Sequence, residues 1–321
     1  MGKSNQSTQE INSQAQNPLG TAPVGGLIAK FAIPAIISML VSAMYNIVDQ
    51  IFIGQGVGML GNAATNVAFP VTTIATALAL LLGIGGASNY NLEMGAGQEK
   101  KASGIAGTAL SSLVISGLIL AVIALVFLKP LLTLFGATTD VMPYAVDYTG
   151  ITALGLPFYI LSVGGNHVVR ADRSPTYSMT CIMIGAIINT ILDPVFIFSF
   201  HMGITGAAIA TVIGNVCAVI YYIWYLAKKS SVQSVSFRYF KPDMKILGNI
   251  FKVGISAFLL SCFLIVSGLM FNNYAMIYGE HVVAAFGIAN RVCQISDFIG
   301  MGLYMGVVPL IAYSYAAGDT E

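Results

Sequence analysis

Three carboxylates stand out within long apolar stretches: Asp49, Asp193 and Asp297. A carboxylate at membrane depth costs a few kcal/mol even on lenient insertion scales, so each calls for a chemical reason. Tyr45 precedes Asp49 by four residues and Asp193 follows Asn189 by the same spacing, which puts each pair on one helical face. Thr211 falls at a similar depth in the next apolar stretch. Two carboxylates, an amide, a hydroxyl and a phenol can hold a proton by hydrogen bonding, or ligate sodium through oxygen. Pro194 cannot donate to the carbonyl of Thr190, which leaves an oxygen beside the second acid. The blander alternative is that Asp49 snorkels outward and Asp193 caps a kink. Asp297 has Arg291 six residues before it, on a different helical face. It is either a second coupling or substrate-facing acid, or the partner of a helix outside this chain.

The elements that must position these groups are membrane helices. Only 8% of the 321 residues are charged and 56% are hydrophobic. A soluble domain needs about a quarter of its residues charged, so most of this surface must face lipid. At about 20 apolar residues per crossing, eight spans emerge, near 27–53, 64–90, 104–128, 142–166, 176–199, 204–227, 248–276 and 282–315. The expected fold is an all-α polytopic membrane protein. Its glycines suit close helix packing. Pro34, about two turns into the first span, breaks one hydrogen bond and marks either a static kink or a hinge.

Lys3, Lys30, Lys100, Lys101, Arg170, Arg173, Lys228, Lys229, Arg238, Lys241, Lys245 and Lys252 fall on one side of this arrangement, with Lys129 alone on the other. The positive-inside rule makes the first side cytoplasmic and places the N-terminus there. Residues 1–26 are polar, lack the apolar core of a signal peptide and read as a disordered cytoplasmic tail. Residues 231–247 interleave aromatic and basic side chains and read as an interfacial linker. His167, His201 and His281 lie near span ends without a ligand motif, and a surface role is expected for them. Cys181, Cys217, Cys262 and Cys293 have no metal-ligand spacing and read as packing residues. A net charge of +1 offers no basic patch for nucleic acid.

The chain also repeats itself. Lys30 to Pro34 aligns with Lys252 to Ser256, Ala63-Ala64 with Ala284-Ala285, and Gly95-Ala96-Gly97 with Ala316-Ala317-Gly318, at an offset of 221 or 222 throughout. Both copies begin on the same side, so the repeat is parallel, and transporters built this way place substrate between their halves. Residues 27–230 would form a six-helix lobe, and 248–321 the first two helices of a second. A complete second copy needs roughly four more spans of about 20 residues, so the chain is expected to be a fragment of a twelve-span protein.

At these residues the chain resembles the multidrug and toxic compound extrusion (MATE) family, on its bacterial multidrug-export branches. The resemblance rests on Ile33-Pro34 to Leu40, Asn46-Ile-Val-Asp49, Phe52-Ile-Gly54-Gln55, Asn91 to Lys100, and Asn189 to Pro194. It implies two six-helix bundles around a central cavity, in the plasma membrane of a bacterium. Export of amphipathic, often cationic drugs would be driven by a proton or sodium gradient, with no cofactor. It carries a cation site onto Asp49, Asn189, Asp193 and Thr211, less directly onto Tyr45, and a bending proline onto Pro34. The seventh span reads Gly254-Ile-Ser256 where the family often has proline, so the resemblance does not carry a second hinge there. A monomer is expected, with small-molecule drugs and the bilayer as its partners.

Other function classes fit the residues less well. A lipid-linked oligosaccharide flippase of the same superfamily would want a cavity lined by Arg and Lys, whereas only Arg291 lies in a span away from its first turns. An intramembrane enzyme needs a reactive constellation, and no His-Glu-x-x-His or Gly-x-Ser-x-Gly motif is present. A channel fits asymmetric acids and a two-copy repeat less well than alternating access does.

Overall fold

The computed structural model describes residues 24–172, 174–228 and 243–276, together with 293, 296–308, 310, 311, 314 and 315. Every regular element among them is helical. In chain order these are α1 (Val24–Gly56), α2 (Met59–Gly95), α3 (Glu99–Val126), the short α4 (Leu128–Leu134), α5 (Met142–Ala171), α6 (Pro175–Pro194) with a π-helical turn at Val195–Ser199, α7 (Ile204–Lys228) and α8 (Met244–Met276). A shorter apolar helix, α9 (Ser296–Val308), follows. Among the described residues seven helices are long and apolar enough to cross a membrane. The chain is therefore an all-α, multi-pass membrane protein. The turns are sharp where glycine permits it: Gly97 and Gly136 take positive φ at helix ends, each with a backbone bond reaching back five residues from the next N–H.

Membrane helices gain nothing from hiding Leu from lipid, so they associate where small residues let backbones approach. Here α5 is the central post, packed against α2, α3, α6 and α7. Gly83 meets Gly164 at the α2–α5 crossing, Gly117 meets Pro157 between α3 and α5, and Gly185 meets Gly214 between α6 and α7. Leu118, Ile119 and Val122 on α3 are exposed, as are Phe263, Leu264 and Met270 on α8, which is the surface a lipid-facing protein requires. One end of the bundle is tied by Asp172, just beyond α5, whose carboxylate accepts from Tyr90 of α2 (2.6 Å) and Tyr225 of α7 (2.8 Å).

The last helices cross-pack on the first two. The backbone of α8 runs against α2, Gly254 meeting Leu81 and Ile250 meeting Gly85, while α9 lies on α1, Gly302 against Ile36 and Gly306 against Ala32. Asn89 strengthens the first seam, its Nδ2 donating to the Gly85 and Asn249 carbonyls at 2.8 and 3.2 Å.

Several expectations change. Helix α1 begins at Val24, inside the stretch read as tail, and α8 begins at Met244, inside the stretch read as linker, because apolar spacing alone does not mark where a helix emerges from the membrane. The rest of the tail and linker, Arg173, His281, Arg291 and much of the eighth span lie outside the described residues. Arg170, counted as a loop charge, is only 2% exposed. His167 is half-buried and lines a cavity rather than the surface, because α5 runs one turn past the expected span end. Cys293 is exposed and not a packing residue, whereas Cys181 is buried.

The Gly83–Gly164 approach yields a prediction. A Cβ at Gly83 would sit 2.6 Å from the Gly164 carbonyl oxygen, while one at Gly104 meets nothing within 4 Å. Gly83→Val should therefore cut the yield of monodisperse protein in detergent several-fold and Gly104→Val should not, as read by gel filtration.

Candidate cation site

Asp49 reaches the bundle interior because of what α1 does one turn later. Ile53 lies on the same face as Asp49, is fully buried, and packs with Ile197 and Ala207. Ile197 belongs to the π-helical turn that follows Pro194. Proline lacks the N–H that would continue the ladder, and the chain widens into an i-to-i+5 bond, Phe200 N–H to the Val195 carbonyl at 3.0 Å. The turn carries Ile197 against Gly56, where a Cβ would collide with it. It also sets Phe198 edge-on to Phe52, ring centroids 6.3 Å apart. These contacts fix the register of α1 against α6, and that register brings the two acids level.

Asp193 is fully buried and Asp49 8% exposed, and their carboxyl groups lie close enough to interact directly. Asn189, one turn before Asp193, stands 3.3 Å from both Asp193 and Thr211. In the amide orientation that satisfies both ends, its Nδ2 donates to Asp193 and its oxygen accepts from Thr211 Oγ1. Two further side chains join. Gln50 contacts Asp49 and accepts from Thr65 Oγ1 at 3.1 Å. Tyr148 of α5 lies within electrostatic reach of both acids and close to Thr211. Tyr45 adjoins Asp49 and Tyr159, and the Tyr159 hydroxyl lies 2.8 Å from Thr76 Oγ1.

The structure thus gathers Asp49, Asn189, Asp193 and Thr211 at one point, with Tyr45 beside them. Asp297 does not join: it is exposed near the start of α9. Pro34 lies about four turns from Asp49 along α1, and its carbonyl accepts from Ser38 Oγ at 2.6 Å. Tyr148 and Gln50 were not foreseen. A tyrosine one to two turns from a span end usually reads as an interfacial anchor, and only the α5–α7 crossing turns this one inward.

Two carboxylates in contact repel unless a positive charge lies between them. Asp49 Oδ1 is buried with no hydrogen-bond partner among the described residues, so an oxygen is left over for a proton or a sodium ion. The donor set, carboxylate, amide and hydroxyl oxygen, suits such a hard cation. The described residues hold no group of three His, Cys, Asp or Glu side chains.

The MatE family model matches residues 34–195, which contain every residue of this cluster except Thr211. The multidrug export protein MepA of Staphylococcus haemolyticus is 34% identical over 291 residues, 91% of this chain and 64% of that protein. MepA of Staphylococcus aureus strain MRSA252 is 34% identical over 92% of this chain and 65% of its own length. The chain thus spans less than two thirds of these curated relatives. Among solved structures, a MATE protein in complex with MaD3S matches with a TM-score of 0.87 at 26% identity, covering 91% of this chain and 66% of that one. The outward-facing conformation of a multidrug resistance MATE family transporter of the MOP superfamily matches at 0.85 and 26%, covering 91% and 65%.

Asn189 is the bridge between α6 and α7 at this point. Asn189→Leu keeps the branched shape and the number of side-chain heavy atoms but removes both polar contacts, which should cost about 1–3 kcal/mol and lower the thermal midpoint in detergent. An unchanged midpoint would mean that the bridge carries no load.

Proposed function

Because the chain belongs to the MatE family, we propose that it forms the first lobe and the opening helices of the second lobe of a multidrug exporter. In this reading amphipathic, often cationic drugs leave a bacterial cell in exchange for a proton or sodium ion. The observation that carries the reading is the buried contact between Asp49 and Asp193, with an unpartnered carboxylate oxygen beside it. An acid pair of this kind is a poor structural element and a good cation holder, and intramembrane acids are functional by default.

The division into two lobes, 27–230 and 248–321, has its own support. By the repeat offset, Ala32 corresponds to Gly254 and Gly85 to Gly306. The α1–α9 contact at Ala32 and Gly306 and the α2–α8 contact around Gly254, Leu81 and Gly85 are then one contact seen from opposite halves, to within about a turn. A two-fold axis along the membrane normal produces that exchange. Substrate would lie between the halves, with the N-terminus on the cytoplasmic side by its lysines and arginines.

Coupling follows from where α1 is held. Its Asp49 end is clamped to α6 and the π-helical turn, and its Pro34 region is bracketed by the Gly302 and Gly306 contacts of α9. A cation arriving at the acid pair changes the charge and hydrogen bonding at one end of α1. Pro34 lets the other end bend. If the two shapes bind the cation differently, the gradient biases which way the cavity faces, and by linkage drug binding biases cation binding.

Asp49→Asn is nearly isosteric and removes the charge. It should abolish gradient-driven dye efflux from energised vesicles while leaving expression intact, and Pro34→Ala should slow efflux but spare equilibrium drug binding. Full efflux by Asp49→Asn under an imposed pH or sodium gradient would place coupling elsewhere.

A further inference from the structure

Far from the acid pair, where α5 ends, lies a buried cation with too few partners. Arg170 is 2% exposed. Its Nη2 donates to Ser178 Oγ at 3.3 Å, and Ser178 in turn donates to Asn166 Oδ1 at 3.4 Å. The Nε and Nη1 atoms have no hydrogen-bond partner among the described residues. A guanidinium withdrawn from water without a counter-charge is among the costliest arrangements a protein can keep. Asp172, two residues on, has its two oxygens turned to the hydroxyls of Tyr90 and Tyr225.

Arg170 instead borders a small cavity of about 40 Å³, walled by Ser88 and Asn91 of α2, His167 of α5, and Tyr304 and Met305 of α9. Among the described residues no carboxylate lines it. The polar groups that face it are a guanidinium, an amide, an imidazole and hydroxyls, all able to donate. The volume admits roughly three water-sized bodies, enough for a halide or a carboxylate head. We infer that Arg170, with Asn91, Ser88 and His167, forms a binding site for one small monovalent anion in the seam between α2, α5 and α9. The anion neutralises the guanidinium and bridges the six-helix bundle to α9. The site therefore belongs to the state in which that seam is closed. This inference does not depend on what the protein exports.

Thermal unfolding of the purified full chain in detergent tests it, in sodium chloride, sodium acetate and sodium gluconate at equal ionic strength. Gluconate, whose carboxylate carries a long polyhydroxylated chain too large for that volume, serves as the bulky reference. Chloride or acetate should raise the midpoint by about 2–4 °C over gluconate at saturation, and whichever does so identifies the occupant as halide or carboxylate. Arg170→Gln should erase the difference, Arg170→Lys should retain part of it, and Asn91→Leu should raise the half-saturating concentration at least several-fold. Should Arg170→Gln fail to fold, the lysine and Asn91→Leu variants decide. A cavity holding only water would show no anion dependence in the unaltered protein. That result, or an unchanged half-saturation in Asn91→Leu, would overturn the inference.

Discussion

Two carboxyl groups in contact inside a lipid-immersed bundle are the constraint around which the rest is arranged. Removing an ion from water costs several kcal/mol even after relaxation, and two like charges side by side add to that cost. Asp49 and Asp193 can share one point only if neighbouring elements force them together and something positive visits the gap. The forcing is visible in apolar contacts. Ile53 and Ile197 are buried against each other, Gly56 leaves room for Ile197, and Pro194 breaks the ladder so that the π-helical turn can reach α1. Asn189 and Thr211 then fix α6 to α7 at the same depth.

A scaffold must be stiff to hold such a pair and still let one helix move. Stiffness comes from small residues: at Gly83–Gly164 and Gly185–Gly214 the backbones touch, so the helices around α5 cannot slide without losing contact all along their length. Asp172 adds a second tie at the other end of the bundle by gathering the tyrosines of α2 and α7. Helix α1 stands apart. Its face carries exposed Ile33, Ile37, Met44 and Ile47, it leans chiefly on α6, and its proline interrupts the ladder. The same helix holds one of the acids. In the proposed coupling, a local change in charge would act on the long helix least embedded in the first bundle.

Much of this was legible in the residues alone. Low charge and long apolar runs specify membrane helices without reference to packing. The four-residue spacing of Asn189 and Asp193 placed them on one face, where they indeed hydrogen-bond. Depth reckoning put Thr211 level with them. Asp297, read as either a second acid or the partner of a helix outside this chain, is exposed and apart from the cluster, because an acid within an apolar stretch says nothing about which way its face turns. Tyr148, Gln50 and the buried state of Arg170 were hidden for a related reason. Each acquires its surroundings from a neighbouring helix, and one helix's periodicity carries no record of its neighbours. The π-helical turn was half visible: Pro194 announced a broken ladder, but not that the chain would widen rather than kink.

The central claim is that the coupling cation binds between Asp49 and Asp193. Cation movement caused by drug tests it most directly. Protein in sealed vesicles without an imposed gradient is given a drug on one side, and proton or sodium flux is followed with an entrapped pH dye or radioactive sodium. A drug-dependent flux of one of these ions is expected, lost in both Asp49→Asn and Asp193→Asn while drug binding persists. Drug-driven cation flux that survives in either variant would contradict it.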